Sequence, residues 1–264
     1  MRYIQAMGTT RAEPHDDETL THFGFETVPR SEKAGRVREV FDSVARRYDL
    51  MNDLMSGGLH RLWKTALVDW LRPRADMHLL DLAGGTGDIA FRFLDRTGGR
   101  GQVSIVDINA EMLRVGRDRA ARRKLNAGHI DWLCGDGESL PLKDRAVGAV
   151  TIAFGIRNCT DIAAVLAEAR RVLKPGGRFL CLEFSRLAVA GLEPVYDAYS
   201  FKVLPQIGQI VAGDRAAYQY LAESIRQFPD QDRFAEMITD AGFDVVKYRN
   251  LAGGIAAMHS GWAV

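Results

Sequence analysis

The 264-residue chain contains no stretch approaching the roughly 18 apolar residues that cross a bilayer, and Met1-Arg2-Tyr3-Ile4-Gln5 has no signal-peptide core. Cysteine is scarce. Cys134, Cys159 and Cys181 are odd in number and lack metal-site spacing, so reduced thiols, no bound metal and a cytoplasmic location are expected. Charge of one sign is also missing. With 35 basic and 34 acidic side chains there is no broad field for nucleic acid, which is excluded as a partner. No internal repeat or linker divides the chain. Residues 1–30, with His15-Asp16-Asp17-Glu18 and little periodicity, are expected to be a mobile tail, leaving 31–264 as one domain with a single core.

The most informative feature present is Leu79-Leu80-Asp81-Leu82-Ala83-Gly84-Gly85-Thr86-Gly87-Asp88, a buried strand running into a glycine turn. A helix follows from Ile89, and such turns sit at the carboxyl ends of strands, where open α/β sheets bind nucleotide-like ligands. Twenty residues past Gly87, Val103-Ser104-Ile105-Val106-Asp107 closes a second strand on a carboxylate suited to ribose hydroxyls. Gly85-Thr86-Gly87-Asp88-Ile89-Ala90 satisfies the G-x-G-x-x-A dinucleotide fingerprint. S-adenosylmethionine uses a similar turn but brings a cationic sulfonium and an amino-acid tail instead of a pyrophosphate. Asp81 and Asp88 flanking the glycines suit that cation and would repel a pyrophosphate. A tight turn without ligand is the third possibility.

Three further strands continue the rhythm. Trp132 to Cys134 enters a Gly135-Asp136-Gly137 turn that offers a carboxylate and an amide to an adenine ring. Ala146–Phe154 is fully apolar and leads to Gly155-Ile156-Arg157-Asn158. A helix from Asp161 to Leu173 stops at Lys174-Pro175-Gly176-Gly177 before a fifth strand, Arg178–Phe184. Gly242–Asn250 and Ile255–Trp262, joined by four residues, form an antiparallel hairpin. The expected fold is therefore a doubly wound α/β sheet, mostly parallel and seven-stranded, with a C-terminal antiparallel hairpin. By analogy, that hairpin marks class I methyltransferases and not dehydrogenases.

The residues resemble one family, the ubiquinone/menaquinone biosynthesis C-methyltransferases. Tyr48-Asp49-Leu50-Met51-Asn52, followed by Ser56, His60 and Trp63, is similar to its N-terminal signature. Arg171–Ser185 is similar to its second signature, and Tyr196-Asp197-Ala198-Tyr199-Ser200-Phe201 and Tyr220–Ile225 also match. The resemblance runs from about Thr21 to the C-terminus. It implies S-adenosylmethionine as cofactor, with Thr86, Asp107, Asp136 and Gly137 as contacts, joined by Asp81 and Gly85 of the turn. One position departs from the pattern: Ala153 stands where members carry a serine.

The implied acceptor is a membrane-dissolved polyprenyl quinol, either 2-methoxy-6-polyprenyl-1,4-benzoquinol or demethylmenaquinol. Loss of a phenolic proton places nucleophilic density on the neighbouring ring carbon, so alignment and water exclusion carry most of the catalysis. Arg157, following the fourth strand, is the first candidate to stabilise that phenolate, with Asn158 orienting a water and Tyr48 a further catalytic candidate. His60, Tyr196, Asp197 and Tyr199 are candidate substrate contacts. N-terminal helices within 31–75, with Val37, Val40, Phe41 and Val44 on one face and Leu62, Trp63, Leu67 and Trp70 on another, either cover a core or line the acceptor pocket. The insert 187–228, rich in tyrosine and aliphatic residues, reads as an acceptor-binding lid or as a helical pair. Arg114, Arg117, Arg119, Arg122, Arg123 and Lys124 form either a solvated face or a transient contact with anionic headgroups at the inner membrane face. The rival functions are an NAD(P)-dependent oxidoreductase and a non-catalytic subunit of a quinone-biosynthesis complex.

Overall fold

The computed structural model describes residues 19–44, 52–54, 56–125, 127–188, 199–203, 205, 206, 209 and 215–264. A hairpin of β1 (Leu20–Phe23) and β2 (Glu26–Pro29) precedes helix α1 (Arg30–Val44), so residues 20–29 are ordered within the segment expected as a tail. Helix α2 (His60–Leu71) leads into the alternating core: β3 (His78–Leu82), α3 (Asp88–Arg96), β4 (Gln102–Asp107), α4 (Ala110–Arg122) and β5 (Ile130–Cys134). Then come β6 (Val147–Ala153), α5 (Ile162–Val172), β7 (Leu173–Phe184), α6 (Arg215–Gln227), α7 (Gln231–Asp240), β8 (Asp244–Leu251) and β9 (Ala256–Ala263).

The seven strands lie in the order β5-β4-β3-β6-β7-β9-β8, with parallel pairing from β5 to β7 and antiparallel pairing of β9 with both β7 and β8. The expected sheet and terminal hairpin are both present. Both faces are covered, because the apolar strands have no polar side to show to water. Leu79, Val103 and Ile105 pack with Trp63, Leu67, Phe91 and Leu113 on one face, joined there by Tyr218 and Leu221 of α6. Leu80, Val150 and Ile152 pack with Val165, Leu166, Phe234 and Ile238 of α5 and α7 on the other. The described part of the insert therefore contributes a helix to the core.

Two local expectations change, and a third segment is better defined. Lys174–Gly177 is not a turn outside the sheet; Val147 pairs with Leu173 and Ala149 with Arg178, so the tetrapeptide sits inside β7 as an irregularity. The buried stripe of α2 is His60, Trp63, Lys64, Leu67, Val68 and Leu71, whereas Leu62 is 66% exposed. That stripe was hidden in the sequence because two of its members are polar, each buried against a carboxylate: His60 with Asp53 at 2.8 Å and Lys64 with Asp88 at 2.9 Å. The basic run of α4 is largely neutralised on the spot. Arg114 pairs with Glu111 and Asp118, Arg123 with Asp95, and Arg119 donates to Thr86.

Asn109 joins helix start to helix roof. Its Oδ1 accepts the Met112 amide at 2.9 Å as the N-cap of α4, while Nδ2 donates to Asp42 Oδ1 on α1 at 2.9 Å. Asn109→Ala should cost about 1–2 kcal/mol in chemical denaturation, the range of a lost cap. It should also speed amide exchange along residues 34–42 more than elsewhere in the sheet.

Candidate active site

β3 and β6 lie side by side at the centre of the sheet, with β4 beyond one and β7 beyond the other, so the connections leaving them diverge and open a crevice. Two backbone features hold that crevice. Ala83 after β3 and Phe154 after β6 both adopt left-handed φ, 49° and 59°, an unusual conformation for side-chain-bearing residues. Gly155 comes so near that a Cβ there would meet the Ala83 Cβ at 2.5 Å. The two strand ends are pressed together. The turn of Gly84, Gly85 and Thr86 then forms the cleft wall, with Gly85 at φ 51° donating its amide to Asp107 Oδ2 at 2.9 Å.

Asp81 ends inside the cleft at 1% exposure. Its Oδ1 accepts the Thr151 hydroxyl at 2.9 Å, while its buried Oδ2 has no hydrogen-bond partner. Burial pushes this carboxyl up to about 7. A carboxylate with one buried oxygen to spare is a receptor for a cationic donor, and the ammonium of an S-adenosylmethionine tail fits it. Asp107, whose Oδ1 also accepts the Asn109 amide at 2.8 Å, is raised by burial to about 6 and lines the next part of the cleft. Asp136 and Gly137 line the third, with Asp136 Oδ1 accepting the Glu138 amide at 2.9 Å. Thr86 is buried there too. All six residues assigned to the cofactor thus meet on one surface, and they fit it.

Asp88 behaves differently from expectation. Burial alone would raise it, yet Lys64 and Arg92 outweigh that effect and hold its carboxyl well below the usual range. With Arg119 also 3.8 Å away, Asp88 is an anchor for cations of the protein, and so it supplies no spare negative charge. Lys64, a lining residue that the sequence did not single out, brings its ammonium to 5.9 Å from the Phe154 ring centroid.

The roof is α1, which presents Val37, Arg38 and Phe41 to the cleft. It is tied down by Lys33 Nζ to the Cys159 carbonyl and Arg30 to Asp161, both at 2.8 Å, besides the Asn109–Asp42 bond. Beyond Phe154 the site changes character. Asn158 lines the cleft and accepts the Tyr220 hydroxyl at 3.0 Å, and Tyr220 stacks on Phe23 with centroids 4.3 Å apart. Arg157 does not line it. The guanidinium is buried behind Phe154, bound to the Phe154 carbonyl at 3.0 Å and to Glu183 Oε1 at 2.6 Å. The direct role expected of Arg157 therefore requires release from Glu183. Burial raises the Glu183 carboxyl against the opposing pull of Arg157, and its Oε2 has no partner.

The His60 ring is bound through Nε2 to Asp53 and its backbone amide donates to the Ser56 hydroxyl, away from the cleft lining, and burial lowers its pKa. Tyr199 donates to the Leu54 carbonyl at 2.7 Å, linking the insert to the segment before α2. Tyr48, Tyr196 and Asp197 lie outside the described residues. Thr151, Glu183 and Tyr220 were given no role, although Glu183 and Tyr220 fall in family-like segments, because their roles depend on pairing across distant strands and helices. Among the described residues no cluster of His, Cys, Asp or Glu is placed to hold a metal, and no helix is long and apolar enough to cross a membrane.

Sheet order, crevice and acidic strand ends define the class I methyltransferase fold. Solved structures agree: the SAM-dependent methyltransferase of Aquifex aeolicus superposes with a TM-score of 0.58 at 16% identity, covering 81% of this chain and 97% of that one. A possible histamine N-methyltransferase of Thermotoga maritima gives 0.62 at 18% identity, covering 86% and 100%. Residues 29–263 match the ubiE/COQ5 methyltransferase family, and the chain belongs to it. The ubiquinone/menaquinone biosynthesis C-methyltransferase UbiE of Acidiphilium cryptum is 62% identical over 240 residues, covering 91% of this chain and 95% of that protein. Its counterpart in Methylobacterium nodulans is 60% identical over 250 residues, covering 94% and 98%.

Two outcomes test the site. Gly155→Ala sets a new Cβ against that of Ala83 and forces the ends of β3 and β6 apart, so a fall in thermal stability should accompany loss of cofactor affinity. Asp81 is ionised only above about 7, so a cationic ligand should bind more weakly as pH falls through 7, by up to about tenfold per unit. Asp81→Asn should remove the part of that dependence centred near 7 in calorimetric titration, leaving what Asp107 contributes near 6. The same change should stabilise the ligand-free protein at pH 8. A carboxyl with a raised folded pKa gives its full stability below the unfolded value and loses it as pH climbs through the folded one.

Proposed function

We propose that this protein transfers the methyl group of S-adenosylmethionine to a ring carbon of a polyprenylated quinol, the methoxy-benzoquinol of ubiquinone synthesis, demethylmenaquinol or both. The observation that carries this reading is the partnerless Oδ2 of Asp81, buried at the end of β3 beside the ribose-suited Asp107, in a chain of this family. The oxidoreductase alternative would need a pyrophosphate beside that carboxylate, and the like charges oppose it.

When bound, S-adenosylmethionine supplies an electrophilic methyl on a positively charged sulfur. Asp81 holds its ammonium, Asp107 its ribose hydroxyls, and the Asp136–Gly137 turn its adenine edge. Ala153 leaves out the hydroxyl that the family pattern places at that position. Phe154, packed on Phe184 at 4.8 Å and on Trp63 at 6.5 Å, keeps water from the transfer point. Asn158, oriented by Tyr220, positions the acceptor hydroxyl. The Arg157–Glu183 pair is neutral as a unit. Both side chains stand outside the cleft lining, and Arg157, gripped by Glu183, donates to the Phe154 carbonyl and so holds the wall of the transfer point.

The decisive experiment is turnover of a short-tailed quinol analogue, with the new methyl located by mass spectrometry and NMR. Methylation on a ring carbon supports the reading, whereas NAD binding without S-adenosylmethionine binding overturns it. Glu183→Gln leaves the Arg157 guanidinium buried without its counter-charge and should cost about 3–5 kcal/mol in chemical denaturation. Ala153→Ser should tighten the cofactor by about 0.5–1.5 kcal/mol, the net value of one added hydrogen bond.

A further inference from the structure

At the far edge of the sheet, on the amino-terminal side of the parallel strands, lies a solvent-open groove between the end of α2 and the β8–β9 hairpin. Its walls are Trp70 and Trp262, and its charges are Arg178, Lys247 and Arg249. Arg178 sits between the two indoles, 5.1 Å from the Trp70 centroid and 5.0 Å from that of Trp262, while Arg249 lies over Trp70 at 4.5 Å. The Arg178 side chain is fixed from behind, donating Nε to the Ser260 hydroxyl at 2.8 Å and Nη1 to the Trp70 carbonyl.

No carboxylate lines this groove. Among the described residues, no ion pair engages Arg178, Lys247, Arg249 or the neighbouring Arg72. Nearby acids are turned to other partners: Asp69 binds Arg96 and Asp232 accepts the Tyr248 hydroxyl, each at 2.7 Å. Asp244 faces Trp262 in the strand register but is not part of the lining. The contrast with α4 is sharp, since most of the arginines there carry their own counter-charges. Burial lowers the Arg178 pKa, and repulsion from Arg72 and Arg249 lowers it further, which is the signature of crowded cations without an anion. A bulge between Asp244 and Lys247, with the β-branched Val245 at φ 51°, breaks the register of the edge strand where Lys247 and Arg249 reach the groove.

We propose that this groove is a binding site for a phosphate group, remote from the methyl-transfer cleft, with the two indoles contacting whatever carries the phosphate. Guanidinium and ammonium donors, with Arg178 held in place by Ser260 and the Trp70 carbonyl, match tetrahedral phosphate oxygens, and the repulsion among them is relieved when an anion enters. An anionic phospholipid headgroup and a soluble phosphate ester share this chemistry.

The test compares the full chain with Lys247→Ala/Arg249→Ala, and with Arg74→Ala/Arg233→Ala, which removes equal charge from exposed residues elsewhere. Binding is read by calorimetry with inorganic pyrophosphate at constant ionic strength, and by sedimentation with phosphatidylglycerol/phosphatidylcholine vesicles. The first double variant should weaken binding at least tenfold in one or both arms, and the second should not. Loss confined to the vesicle arm assigns the headgroup as source, and loss in the pyrophosphate arm assigns a soluble phosphate. Equal binding by all three proteins in both arms overturns the proposal, as does equal loss in both variants. Neither readout depends on methyl transfer, so failure here leaves the proposed reaction untouched.

Discussion

The close approach of Ala83 and Gly155 is the constraint on which the site depends. It presses the ends of β3 and β6 together, and it fixes where the glycine turn, the Asp81 carboxylate and the Phe154 ring can stand. Two left-handed residues persist there because the sheet on either side over-determines their conformation. The stored strain is local and lies at the crevice, while the stability that sustains it comes from the apolar layers on both faces of the sheet.

Around that junction the molecule sorts its charges by depth. Asp81 and Asp107 are buried acids without cationic partners of their own, so both are raised toward neutrality and depend on what enters the cleft. Asp88, at the start of α3, is saturated by Lys64 and Arg92. Arg157 and Glu183 form a third arrangement, a buried pair with an unused carboxylate oxygen. Four acids of similar chemistry are thereby set to three different tasks by their surroundings alone.

Much of this was legible in the sequence, because parallel strands that are buried on both faces read as unbroken apolar runs, and the glycine turn has a fixed relation to the strand before it. The cofactor residues followed from that relation and from the family resemblance. What stayed hidden depends on distant partners. His60 and Lys64 break the apolar stripe of α2, and only Asp53 and Asp88 explain their burial. Arg157 looked available until Glu183, 26 residues later, was placed against it. The hairpin at residues 20–29 has weak strand signals and is held by tertiary contacts, including the stacking of Phe23 on Tyr220.

The three polar ties between α1 and the loops beneath it have a kinetic consequence. On the proposed function, donor and spent donor would share the cleft beneath α1, and any outward movement of α1 would strain the same three bonds. Loading and discharge would then share one barrier, so an amino-acid change that loosens the lid would hasten clearance of the demethylated by-product as well as entry of fresh donor.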